Sequence, residues 1–109
     1  MNGTTPNRTS STALEASHII RATPGTLLSL TGYNSKGSAQ FIQIHNSATL
    51  PADAAVPIAV ITAAATSNFA FTIPIHGLPC STGIVVCNSS TSSTKTIGSA
   101  DIFITAIDG

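Results

Sequence analysis

The chain has 109 residues, with four Lys or Arg against four Asp or Glu, and only 7% of it is charged, compared with about 25% in an average soluble protein. One domain is expected at this length. A neutral balance excludes a basic phosphate-binding surface, so nucleic acid is not an expected partner. The apolar runs fall far short of the ~20 residues of a membrane helix, and no basic amphipathic helix is present, so no membrane partner is expected either.

Residues 1–16 are polar, with Leu14 the one sizeable apolar side chain after Met1. They read as a flexible arm preceding a single β domain over 17–109. No apolar stretch follows Arg8, so no secretory signal is expected. From Ser17 onward, short β-type runs alternate with turn residues. The first is 17–23, ended by Pro24-Gly25. The second, 26–34, alternates Leu28 and Leu30 with Ser29 and Thr31. After the turn at 34–37, the run 38–47 sets Ile42 and Ile44 on one face and Gln43 and His45 on the other.

A loop with a Pro at each end spans 48–57. The run 58–65 is read as a strand despite its alanines, because Ile58, Val60 and Ile61 are β-branched and Pro57 precedes them. Residues 68–75 place Phe69, Phe71, Ile73 and Ile75 on one face. Residues 76–83 read as a turn, 84–88 as a central strand buried on both faces, and 99–107 as the closing strand. These elements indicate an all-β fold. It is an antiparallel β-sandwich or jelly-roll-like barrel of about seven to eight strands, with a flexible N-terminal arm.

The chemistry-bearing residues are few. Cys80 and Cys87 fit neither a zinc nor a redox spacing. If the intervening segment is extended, they lie about 20 Å apart, well beyond the roughly 4.4–6.8 Å a disulfide tolerates. They read as buried free thiols, with a disulfide the alternative if a turn at Ser81-Thr82-Gly83 shortens the span. His18, His45 and His76 sit in three different contexts and read as solvent-facing or interface side chains, with no metal and no cofactor implied. A glycosidase needs two facing carboxylates, and outside the arm and the terminus only Asp53 and Asp101 remain. No nucleophile-elbow, P-loop or dinucleotide motif occurs, so the chain reads as a non-enzyme. Tyr33 reads as a half-buried strand-end residue whose hydroxyl reaches the backbone or a partner.

The segments "TPGTLLSLTGYNSKGSAQFIQIHNSATLPADAAVP" and "STGIVVCNSSTSSTKTIGSADIFI" together resemble a group of small proteins of tailed-phage genomes. The resemblance covers roughly residues 22–104. It implies a virion structural protein, in particular a capsid decoration or cement protein on the capsid surface, made in the host cytoplasm. The implied partner is the major capsid protein, and the implied state is a homo-oligomer, with a trimer favoured. A tail or fibre component acting as a host-adhesion or carbohydrate-binding module is the alternative. The partner-binding residues expected from the arm and the strand-end tyrosine are Thr4, Thr5, Pro6, Asn7, Arg8, Leu14 and Tyr33.

Residues 88–96, "NSSTSSTKT", carry hydroxyls where most surfaces carry Lys and Glu. They read as a hairpin-like loop between two strands. Neutral hydroxyls pack against a partner without the desolvation cost of a charge, so this surface is expected to be covered by one.

Overall fold

The computed structural model describes residues 6–71, 73 and 76–109. Nine strands are seen among these residues, and no helix: β1 (Asn7–Ser10), β2 (Ser17–Arg21), β3 (Gly25–Asn34), β4 (Gln40–His45), β5 (Ala59–Ala63), β6 (Ser67–Phe71), β7 (Leu78–Cys80), β8 (Ile84–Ser89) and β9 (Ile102–Asp108). They form two antiparallel sheets packed as a sandwich. Sheet A has the order β1-β9-β3-β6, with the short β7 also paired to β3. Sheet B has the order β2-β8-β4-β5.

The two strands beyond the seven read from sequence are β1 and β7. Within the expected arm, the described residues 6–16 are not free. Asn7–Ser10 pairs with Asp108–Thr105 at the edge of sheet A. Ser11 is buried: its N–H donates to the Ile104 carbonyl at 2.8 Å, and its Oγ accepts from the Ile104 N–H at 3.0 Å. Glu15 then bridges to Ile102. A polar sequence forms this strand because its attachment is through the main chain, which every residue carries. Thr4 and Thr5 lie outside the described residues.

The turn expected at 76–83 contains β7, which pairs with Gly25–Leu27. Pro79 is tolerated there because β7 pairs with β3 alone, so the missing N–H breaks no second ladder. Residues 88–98 fold back as the expected hairpin-like loop, with Ser89 bridged to Ile97 and the Gly98 N–H donating to the Asn88 carbonyl at 2.8 Å, but the strands on either side of it do not pair with each other. β8 and β9 belong to different sheets, so the segment crosses from one to the other.

The core lies between the sheets. Leu27, Leu30, Ile102, Ile104, Ala106 and Phe69 of sheet A meet Ile20, Ile42, Ile44, Ile84, Val86 and Ala63 of sheet B. Period-2 alternation produces this in β9, where 102, 104, 106 and 108 are buried and Phe103 is exposed. Phe69, Phe71 and Ile73 point to the core as their spacing indicates, and Ile75 lies outside the described residues. All six residues of β8 are buried, as expected for a central strand.

Polar groups close one end of the sandwich. The Asn34 amide donates to the carbonyls of Ser38, Ala63 and Ala64, and its Oδ1 accepts from Lys36 N–H and Gln40 Nε2. Buried amides with this many partners fix the strand ends without leaving an unpaired dipole. Near the other end, Asp108 is fully buried and accepts from Arg21 at 3.2 Å.

Candidate functional site

Alternation in sheet A sends half of its side chains to solvent. In β9 these are Phe103, Thr105 and Ile107. Register brings Tyr33 opposite Phe103, Thr31 opposite Thr105 and Ser29 opposite Ile107. On the far side of β3, Asn68 stands opposite Tyr33 and Ala70 opposite Thr31. On the far side of β9, Ser10 stands opposite Thr105 and Arg8 opposite Ile107. The outer face of sheet A is thus a charge-poor, pleated surface on which, among the described residues, Arg8 is the one charged side chain.

The face is not flat. A groove of about 530 Å³ is lined by Thr31, Gly32, Tyr33, Asn68, Phe69, Ala70 and Phe103. Gly32 shapes it. A Cβ there would lie 2.1 Å from the Phe103 carbonyl oxygen and 2.4 Å from Phe69 Cζ. Only glycine lets the β9 backbone and the Phe69 ring approach so closely. Tyr33 and Phe103 remain 39% and 38% exposed. Directly opposed aromatic side chains stand about 5 Å apart at Cβ, so the two rings form one apolar step flanked by the Asn68 amide.

The structure distributes the expected partner-binding residues unevenly. Arg8 and Tyr33 share this outer face, about 13 Å apart along the sheet, four residues at ~3.3 Å each. Asn7 pairs with Asp108 on the same edge. Pro6 is exposed just before β1, and Leu14 is exposed in the β1–β2 connection. Phe103 was not singled out from the sequence. The apolar run 102–107 conceals it, although its odd position in a period-2 strand is the signal.

The outer face of sheet B is different, because it is covered. Gln43, His45, Val85 and Cys87 are buried but lie outside the cluster between the sheets. Residues 46–58 and 90–97 fold over them. The Gln43 amide donates to the carbonyls of Thr91 and Thr94 at 2.9 Å each and Ser92 at 3.3 Å. Its Oε1 accepts from His45 Nε2 at 3.0 Å and from the Cys87 thiol at 3.9 Å. His45 is therefore buried, not solvent-facing. Burial and the nearby Lys95 ammonium hold it below the usual imidazole range. Burial pushes the Cys87 thiol up to about 11. A buried thiol raised in this way is a poor nucleophile.

The hydroxyl strip is largely stitched to itself. Ser89 Oγ accepts from the N–H groups of Thr91 and Thr96 and donates to the Thr91 carbonyl at 2.7 Å. Thr91 Oγ1 donates to the Thr94 carbonyl at 2.7 Å and meets Thr96 Oγ1 at 3.0 Å. Part of the demand for Ser and Thr in 88–96 is thus internal to the loop and needs no partner.

The remaining titratable groups are scattered. Glu15 pairs with His18, Asp53 with Lys95, Asp101 with the Ser99 hydroxyl, and Asp108 with Arg21. Cys80 and Cys87 are both free and buried. Among the described residues, no group of three or more His, Cys, Asp or Glu converges to hold a metal ion. Comparison with protein-family models, with curated proteins and with solved structures found no match to this chain.

Proposed function

We propose that this chain is a non-enzymatic virion structural protein. In this reading it decorates an assembled capsid shell and docks on the major capsid protein through the outer face of sheet A. The observation that carries the reading is that face: charge-poor, solvent-exposed, and centred on a groove with two adjoining aromatic rings. Aromatic side chains in a local concavity are the usual anchors of protein interfaces. A surface with one charge has little to desolvate on docking. The resemblance of residues 22–104 to small tailed-phage proteins supports a virion as the assembly.

Size argues for attachment in several copies. Four strands at ~4.8 Å spacing and seven residues at ~3.3 Å give a face of about 19 × 23 Å, or roughly 450 Å². A stable interface takes about 800 Å² per partner. One copy therefore binds weakly, while a homo-oligomer, with a trimer favoured, engages several shell subunits at once and gains by multivalency. Binding only to the assembled shell then stabilises that shell by mass action. Sizing the protein in solution and locating it by cryo-EM on intact particles tests this. Oligomers seated on the capsid with sheet A against the shell are expected. A monomer absent from the particle would contradict it.

One observation favours a second reading. The row Asn68–Tyr33–Phe103 is an aromatic step beside an amide, an arrangement that stacks on a sugar ring and hydrogen-bonds its hydroxyls. In that reading the chain is a tail or fibre module that binds carbohydrate. Saturable binding on a glycan array, lost in Tyr33→Ala, would select it over the first.

A further inference from the structure

Two segments cross the outer face of sheet B, and one ion pair joins them. Lys95 is 3% exposed and donates to Asp53 Oδ1 at 2.6 Å. The same oxygen accepts from the Ile97 N–H at 3.2 Å. Beside the pair, Ala54 N–H donates to the Lys95 carbonyl at 2.7 Å, and Lys95 N–H donates to the Ala55 carbonyl at 2.8 Å. Ala54 is held at φ 77°, a left-handed conformation that alanine disfavours. The contact with the second segment therefore holds the first in a conformation it would not keep alone.

Beneath lie Gln43, His45, Val85 and Cys87, whose own pairing within the sheet does not depend on the cover. Gln43 pairs with Cys87, and His45 with Val85, through the β4–β8 ladder. We propose that the Asp53–Lys95 pair is an acid-sensitive latch, which holds residues 46–58 and 90–97 as straps over sheet B and releases them while the sandwich stays folded. The inference stands apart from the docking reading and concerns the opposite sheet.

The charged and titratable groups around the latch are few. Asp53 and Lys95 come from the straps, His45 from β4 and Cys87 from β8. The edge strand β2 brings His18, already paired with Glu15, and Arg21, paired with Asp108; β5 has none. Acid acts on two of them in the same direction. His45 sits below its free value near 6.5, so the closed state resists its protonation. A charged His45 beneath the buried Lys95 ammonium then favours opening. Asp53 sits below its free value near 3.8 because Lys95 and the Ile97 N–H bond its carboxylate. Its protonation removes the negative partner of Lys95. Opening thus begins as pH falls below about 6.5 and becomes extensive as Asp53 titrates.

Cys87 reports the event. In the Cys80→Ala chain it is the sole thiol. Its labelling by 4,4′-dithiodipyridine, a reagent active in acid, is measured against the urea-unfolded chain at each pH, which cancels the intrinsic pH dependence of the reaction. A drop in protection of at least tenfold between pH 7 and pH 3 is expected. Amide exchange in the unsubstituted chain should show 90–97 loosening while β3 and β9 stay protected. Asp53→Asn should lower Cys87 protection already at pH 7. Three results would overturn the latch: protection unchanged down to pH 3, loss of protection only together with β3 and β9, or wild-type protection in the Asp53→Asn chain at pH 7.

Discussion

Gln43→Met tests how the hydroxyl-rich crossing is held. Methionine keeps the volume of glutamine, so packing changes little. What disappears is polar. The Gln43 amide serves the carbonyls of Thr91, Ser92 and Thr94, and its oxygen serves His45 Nε2. Two amide protons and one acceptor give three hydrogen bonds, at about 1 kcal/mol net each. The His45 N–H is then buried without a partner, for about a further 1 kcal/mol. The loop carbonyls recover part of this from water, because Thr91 and Ser92 are exposed. The expected loss is about 3 kcal/mol. A domain of this size unfolds with about 0.23 kcal/mol/K of entropy, so the melting temperature should fall by about 13 °C. Thermal denaturation followed by circular dichroism measures it, with Ser92→Ala as a control expected within about 0.5 kcal/mol of wild type. A fall under 3 °C in Gln43→Met would refute the reasoning, and the strip would then not depend on this side chain.

Other outcomes follow from the core and from titration. Ile104→Ala, at a fully buried site between the sheets, should cost about 2–5 kcal/mol in urea denaturation. Gly32→Ala should cost about 1–3 kcal/mol or more by the same assay, because its Cβ meets the Phe103 carbonyl and the Phe69 ring. Stability should fall on both sides of neutrality in a pH series of urea midpoints. His45 and Asp53 have depressed folded values, so the unfolded chain binds more protons and stability is lost as pH falls below about 6.5 and again below about 3.8. Cys87 is raised from near 9 to about 11, so the unfolded chain releases its proton first and stability is lost as pH rises between those values.

The β8 run Ile84–Cys87 was legible as a central strand because continuous apolar residues fit a strand covered on both faces. The inward set Phe69, Phe71 and Ile73 was legible from its period. β1 was not, because Asn-Arg-Thr-Ser holds its place by main-chain bonds that leave no side-chain pattern. β7 was hidden by Pro79, which reads as a turn unless the one-sided pairing is known. Gln43 and His45 were placed on the correct face, but the burial of that face was not legible, and His45, read as solvent-facing or at an interface, is 3% exposed. Two loops distant in sequence cover them, and strand periodicity carries no information about that cover. The outer face of sheet A was half legible: Tyr33 and Arg8 were named, while Phe103 emerged only with the register of β9 on β3.

The docking reading rests on the outer face of sheet A, and Thr31→Glu tests it most directly. Thr31 is exposed at the middle of that face, between Ala70 and Thr105. Neither neighbour offers a cation. Folding should change by no more than about 0.5 kcal/mol. Docking would bury an unpaired carboxylate at a cost of several kcal/mol; about 3 kcal/mol corresponds to a loss of more than 100-fold in affinity. The measurement is the affinity of the folded variant for capsid particles lacking the protein, by titration and sedimentation. A loss of this size, with an unchanged melting temperature, is the result the account predicts. Wild-type affinity in Thr31→Glu would contradict it and move the contact surface elsewhere on the molecule.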